Sequence, residues 1–475
     1  MKNTKYDVIV LGGGSAGLVA AKLARGLGKR VAIIEKAKLG GECTWSGCVP
    51  SKTIIKLASL IADAKAAQSF LHSASNQEVD TAKIMAYIRA KRSEIYQTHT
   101  PEMLLKAGID TYFGTPKFIN ATTIALDNQE FSAEKFILAT GSQPAIPAIE
   151  GLSDVQFLTN ENIFELEKLP QSMIILGGGA IGIELACALH TIGVRITMLE
   201  KAHSILPKED AELSALLAQK MKADGIGIQT SITVSKVLKK SGISCVGTQA
   251  DGTVVEFAAE SILVALGRKP NLEGLNLEAI GVKTDAKGVV VNDRLQTTVK
   301  NIYACGDMVG PYQFSHMAAY QASVAGRNAC IPFFKKRVDY AHVIWVTFSA
   351  PEFAVAGLTE AAARAKYGES IQVFRAPYAS LDRAKIDDAT FGLCKIICDK
   401  KGYILGAHIL GARAGELIHE IQVGAYYNLR IWNFYAPIHA YPTYSELIGQ
   451  LGKRAYISKL ENNVLLRLIK KMFSK

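Results

Sequence analysis

Cys43 and Cys48, with four residues between them in Gly40-Gly-Glu-Cys-Thr-Trp-Ser-Gly-Cys-Val-Pro-Ser-Lys52, carry the sharpest chemical signal in this chain. Pro50 suits the first turn of a helix over 51–69, which puts Cys48 near that helix's N-terminus. There the helix dipole lowers a thiol pKa and stabilises thiolate. Zinc ligation is the other use of such a pair, but no second Cys/His pair at ligand spacing accompanies it. The pair therefore reads as a redox-active disulfide, and no metal site is expected. Among the other cysteines, Cys187 and Cys305 read as small core residues, and Cys245 and Cys330 have no evident partner. Cys394 and Cys398 share one face of a strand but stand about 13 Å apart, too far to bridge.

Glycines locate the elements that must hold this pair. Asp7 to Gly17 is a buried strand running into a G-x-G-x-x-G turn at Gly12, Gly14 and Gly17. These three allow the tight turn, the approach of a pyrophosphate and close packing of the following helix. Phosphate would sit on that helix's N-terminus. The next strand ends in Glu35, placed to accept hydrogen bonds from a ribose. The pattern returns at Met173 to Gly182, with Gly177, Gly179 and Gly182 in register and Glu200 ending the second strand. An acid there repels a 2′-phosphate, which favours NAD(H) over NADP(H), although Lys201 and His203 weaken that preference. Two dinucleotides in one chain imply an electron relay from nicotinamide to a flavin.

With these motifs the sequence resembles the FAD-dependent pyridine nucleotide–disulfide oxidoreductases, the group of dihydrolipoamide dehydrogenase, glutathione reductase and mercuric reductase. The likeness runs from Tyr6 to about Gly452. It also takes in Ala139-Thr-Gly-Ser142, Gly267-Arg-Lys-Pro-Asn271, Ala304-Cys-Gly-Asp307, Pro351 to Glu360 and Gly415 to Ile418. The resemblance implies an α/β fold of two Rossmann-like dinucleotide-binding domains, for FAD and NAD, and a C-terminal α+β dimerisation domain. It implies FAD and NAD(H) as cofactors and a homodimer whose active site is completed across the interface. Cys48 matches the thiol against the flavin, and Cys43 the interchange thiol that attacks substrate. Lys52 matches a lysine near the flavin, and Glu184 its acidic partner. Thr140, Gly141 and Asp307 match FAD contacts, and Gly267 an NAD contact. The segment 313–317 directs helix N–H groups at the flavin.

The chain departs from its relatives at His439-Ala-Tyr-Pro-Thr-Tyr-Ser-Glu446. Dihydrolipoamide dehydrogenases resemble H-P-T-x-x-E here, with the His as base. Tyr441 stands in its place, and a phenol near ~10 is a poorer base than an imidazole near ~6.5. His439 replaces the base only if the backbone bends, because in an extended segment it lies about 7 Å away. Glu446 lacks its His partner and fits a capping box with Thr443. Mercuric reductases also tend to carry Tyr at this point, yet their C-terminal Cys pair is absent, since no Cys follows Cys398. An N-terminal C-x-x-C metal-binding domain does not precede the first strand either. Soft-metal reduction needs further thiolates to pass the ion along.

Composition sets the outer limits. The 475 residues are 49% hydrophobic and 20% charged, which excludes a largely disordered chain, and eight Cys exclude a small disulfide scaffold. The first strand begins without a basic–apolar–small-residue leader, so a cytoplasmic, reducing setting is expected. The expected organisation is an FAD domain over 1–150 and 272–337, an NAD domain over 151–271, a dimerisation domain over 338–452 and a basic tail over 453–475. That tail carries seven cations and one acid out of a net charge of +11. It contacts an anionic inner membrane surface or docks on its own protein. No aromatic–basic strip calls for nucleic acid. The leading expectation is a disulfide oxidoreductase resembling dihydrolipoamide dehydrogenase, acting on a small or protein-bound lipoamide-like disulfide. The alternatives are a mercuric-reductase-like, quinone- or metal-ion-reducing flavoenzyme, and a membrane-associated flavin redox sensor.

Overall fold

The computed structural model describes residues 3–70 and 78–461. Its first sheet is built on β1 (Asn3–Leu11), which runs through a glycine turn into α1 (Ser15–Gly26) and returns as β2 (Val31–Glu35). The apolar runs of β1 and β2 are buried almost throughout, as parallel strands covered on both faces must be. The seven strands include three parallel neighbours of this βαβ unit and an antiparallel edge. One of those parallel strands, Ile302–Ala304, comes from far along the chain and pairs with Gln129–Leu138. The redox segment follows β2, and α2 (Cys48–Ala67) begins on the second cysteine.

The second unit repeats this logic with β3 (Ser172–Leu176), α3 (Ala180–Ile192) and β4 (Arg195–Leu199) at the centre of a four-stranded parallel sheet. In both units the third fingerprint glycine lies hard against the turn. A Cβ on Gly17 would sit 1.8 Å from the Gly12 carbonyl oxygen, and one on Gly182 would sit 2.2 Å from that of Gly177. The chain then re-enters the first unit through α4 (Ser315–Cys330), which packs along α1 so tightly that Gly326 faces the Ala20 backbone at van der Waals distance. Both helices start at the carboxyl edge of the first sheet, where ligands bind in such folds.

The C-terminal unit is a five-stranded antiparallel sheet covered by α5 (Ala414–Tyr426) and α6 (Glu446–Glu461). Its hairpin pairs Leu393 with Leu410. Asp399 closes the turn by accepting the backbone N–H groups of Lys401 and Tyr403. Leu447, Ile448, Leu451 and Ala455 of α6 are buried in this unit, and Lys459 lies over the Trp432 ring. The described start of the basic tail therefore docks on its own domain, while 462–475 fall outside the described residues. No helix among the described residues is long and apolar enough to cross a membrane.

Candidate active site

Each glycine turn is clamped by the acid that ends the next strand. Glu35 accepts the N–H of Gly13 at 2.6 Å on one oxygen and that of Ala37 at 2.8 Å on the other. Glu200 repeats this with Gly178 at 2.5 Å and Ala202 at 2.6 Å. A carboxylate keeps further lone pairs after two such bonds, so both acids can still accept a ribose hydroxyl. The sequence pointed only to that second task. Shaping the phosphate loops is a further role, visible only in the folded chain.

A cavity of about 1260 Å³ runs from the first turn to the redox cysteines. That exceeds the roughly 300–1,000 Å³ of ordinary small-ligand pockets. At one end Gly12, Gly14 and the N-terminus of α1 meet Glu35; Thr140, Gly141 and Asp307 line the middle; Cys43, Cys48 and Lys52 close the other end. This elongated, polar-ended shape fits FAD, with its pyrophosphate on the α1 N–H groups. Gly177, Gly179, Glu200 and Gly267 lie outside this cavity, but Ala180, Ile181 and Glu184 of the same unit line it. A Cβ on Gly179 would meet nothing within 4 Å, and the free N-terminus of α3 faces that open space, which suits a second pyrophosphate. Gly267 takes φ +116° at the turn before Arg268.

Cys48 is the first residue of α2, as its spacing from Pro50 implied, and its sulfur stands 3.2 Å from the Ser315 hydroxyl at the start of α4. Hydrogen bonds act on the other sulfur as well. A hydrogen bond from Cys48 pulls the Cys43 thiol down to about 5; burial opposes this, and the Ser315 and Ser15 hydroxyls add to it. Giving up its hydrogen bond to Cys43, together with burial, pushes Cys48 up. Hydrogen bonds within the dithiol thus favour charge on Cys43, while the N-terminus of α2 acts on Cys48.

Lys52 meets Glu184 at 2.7 Å, and the other Glu184 oxygen accepts the N–H of Phe348 at 2.9 Å. Those three residues come from three different units, so one ion pair fixes the junction. Sequence reasoning assigned Glu42 nothing, yet it is the hub beside Cys43. It accepts from Asn160 at 2.5 Å and from Arg268, and Arg268 donates in turn to the Ser142 hydroxyl at 2.8 Å. Ser142 then donates to Asp307 at 2.7 Å. Burial raises the Glu42 carboxyl, against the pull of Arg268 and Asn160. His316 and His419 also line the cavity and were not singled out. His316 is held by the Ile344 carbonyl at 2.7 Å, and burial lowers its pKa.

The C-terminal motif does not meet the cysteines within one chain, since His439, Tyr441 and Glu446 all lie outside the cavity lining. His439 has Glu420 at 3.0 Å on Nε2 and the Pro437 carbonyl at 3.1 Å on Nδ1. The contact with Glu420 ties the ring to α5. Glu446 accepts the Thr443 N–H at 3.2 Å, half of the expected capping box. Tyr441 is 71% exposed, and its hydroxyl faces Asp382 at 3.3 Å. Among the described residues no group of three or more His, Cys, Asp or Glu side chains is arranged to hold a metal ion.

Comparison with known proteins shows the family. The model of the pyridine nucleotide-disulphide oxidoreductase family matches residues 6–326, and that of its dimerisation domain matches 343–451. The dihydrolipoyl dehydrogenase of Bacillus subtilis is 33% identical over 95% of this chain and 98% of its own. The mercuric reductase of Staphylococcus aureus is 31% identical over 93% of this chain and 81% of its own. Among solved structures, the HOCl-induced flavoprotein disulfide reductase RclA from Escherichia coli superposes with a TM-score of 0.84 at 28% identity, covering 94% of this chain and 99% of that one. A Cu(II) complex of the same protein superposes equally well. The family uses FAD and NAD(P)H. This chain belongs to the pyridine nucleotide-disulphide oxidoreductases, as an NAD(P)H-linked flavoprotein disulfide oxidoreductase.

Proposed function

We propose that this protein is an NADH-linked disulfide reductase of the dihydrolipoyl dehydrogenase type, working as a homodimer in the cytoplasm. The observation that carries this reading is the placement of Cys43 and Cys48 in one cavity with the Lys52–Glu184 ion pair. FAD, when bound, supplies two-electron transfer between nicotinamide and the dithiol. Lys52 and Glu184 align the face on which nicotinamide arrives, and Glu200 favours a free 2′-hydroxyl there. Cys43, already a thiolate at neutral pH, attacks the substrate disulfide and forms a mixed disulfide as the first substrate thiolate leaves. Cys48 then gives its proton to the departed substrate thiolate, attacks the Cys43 sulfur as thiolate, closes the Cys43–Cys48 disulfide and expels the second substrate thiolate. Protonating that second thiolate falls to imidazoles in the cavity or to Tyr441 brought by a second copy. Replacing Cys43 tests this division of labour. In Cys43→Ser, disulfide turnover is expected to vanish while NADH-driven reduction of a dye continues; joint loss of both overturns the assignment.

A second reading, reduction of a quinone or metal ion, is favoured by the missing base, since Tyr441 is exposed and His439 is tied to Glu420. The mercuric reductase relatives and the Cu(II) complex of RclA lean the same way. Such acceptors need no proton at a leaving sulfur. They would keep full turnover in Tyr441→Phe, where a disulfide reductase that draws its proton from Tyr441 loses it.

A further inference from the structure

The first unit has an end opposite the redox centre, at the amino edge of its sheet. Here α4 stops at Cys330, and residues 331–337 (Ile-Pro-Phe-Phe-Lys-Lys-Arg) form a loop whose two phenylalanines are the most exposed aromatic pair next to a run of cations. Phe333 is 73% exposed and Phe334 90%. Phe334 also holds φ +54°, a left-handed conformation that a bulky side chain adopts only under constraint. The constraint is visible. The Arg327 guanidinium donates to the Phe334 carbonyl at 2.6 Å. Buried Asn328 takes the Lys336 N–H at 2.8 Å and donates to the Lys336 carbonyl at 2.7 Å. The loop is thus built to present two apolar rings to the outside instead of folding them onto the domain.

Its surroundings are basic. Lys336 and Arg337 follow the rings and are exposed, with Asp293 answering only Arg337, at 3.1 Å. Lys29 and Arg25 close the parallel helix α1 at the same end, because α1 and α4 pack side by side. Leu27, 43% exposed, adds apolar area between them. Apolar rings that reach out of a basic rim match an anionic bilayer surface, where rings enter the headgroup region and cations meet lipid phosphates.

We propose that this edge of the first unit is a contact surface for anionic membranes, with Phe333 and Phe334 inserted and Lys336 and Arg337 on the phosphates. The α4 helix, at about 24 Å for 16 residues, separates this surface from Ser315 and the thiols, so the catalytic cavity faces away from the bilayer. The proposal stands independently of which acceptor the enzyme uses. Co-sedimentation of the flavin-loaded full chain tests it. Vesicles of phosphatidylcholine alone are compared with vesicles that also contain phosphatidylglycerol.

Binding is expected only to the anionic vesicles and is expected to weaken with salt. Phe333→Ser with Phe334→Ser should cost about tenfold or more in affinity. Lys336→Glu should cost about fivefold or more. Flavin content and NADH-driven dye reduction stay unchanged in both, which shows that the variants fold. A chain ending at Glu461 should bind as well as the full chain. Absence of wild-type binding overturns the proposal. So does binding that survives both variants but disappears on truncation, which assigns the contact to the tail. A phenylalanine variant that changes the oligomeric state also overturns it, since the rings then cover another copy.

Discussion

At the scale of single residues, the reaction rests on how protons are shared between two sulfurs. An ordinary thiol titrates near ~8.5. Cys43 is drawn down to about 5 by the hydrogen bond from Cys48, against burial, with help from Ser315 and Ser15. A lowered thiol is thiolate above its pKa and loses that charge as the pH falls through it. Alkylation of the reduced enzyme by iodoacetamide should therefore rise through about pH 5 and level off by neutrality. Ser315→Ala removes one donor and should move the midpoint up by about one to two pH units, the worth of one charge-assisted hydrogen bond. An unmoved midpoint would assign the low thiol to another cause. The cysteines and the Lys52–Glu184 pair were legible in the sequence because each sits in a compact motif. Ser315 and Glu42 were not, because their partners lie 267 and 226 residues away and only the fold joins them. The helix that Cys48 begins was legible from Pro50, and the approach of the Ser315 hydroxyl to its sulfur was not.

At the scale of elements, the two glycine turns do the same work for different ligands, and they can be separated. A methyl on Gly17 would collide with the Gly12 carbonyl, and one on Gly182 with that of Gly177, so neither turn can keep its helix this close. Gly17→Ala should give protein purified largely without flavin. Gly182→Ala should retain flavin while KM for NADH rises about tenfold or more, because only the second pyrophosphate loses its seat. Equal flavin loss in both variants would contradict two independent sites. These βαβ units could be read from sequence because strand, glycine spacing and terminal acid recur as local patterns. The clamp that Glu35 and Glu200 place on their own loops could not, since it depends on where each side chain turns after the strand ends. The C-terminal motif shows the opposite limit: its residue types were plain, but the commitment of His439 to Glu420 depends on the packing of α5.

At the scale of the whole molecule, charge fastens the second unit to the C-terminal sheet. Lys395, 3% exposed in its side chain, reaches Asp210, Glu212 and Glu360 within 3 Å, and Arg375 joins Glu212 to Glu360. Lys395→Met leaves buried Asp210 and its partly exposed neighbours Glu212 and Glu360 short of their cation and should cost about 3–5 kcal/mol of stability, read as a fall in the urea midpoint. Burial acts to raise the Glu360 carboxyl, but hydrogen bonds from Lys395 and Arg364 outweigh it and hold it at about 2. A carboxylate lowered in this way stabilises the fold above its unfolded value near ~4.3 and loses that contribution as pH falls toward 2. The acid-induced loss of stability in that window should be smaller in the Lys395→Met variant. The central claim remains that electrons entering at the nicotinamide site leave through Cys43 to a disulfide. Anaerobic, lipoamide-dependent oxidation of NADH, with flavin absorbance followed in the same cuvette, tests it most directly. Turnover at ~1–10³ per second is the expected result. Rapid flavin reduction with negligible lipoamide turnover would contradict it and assign the acceptor to the quinone or metal-ion class.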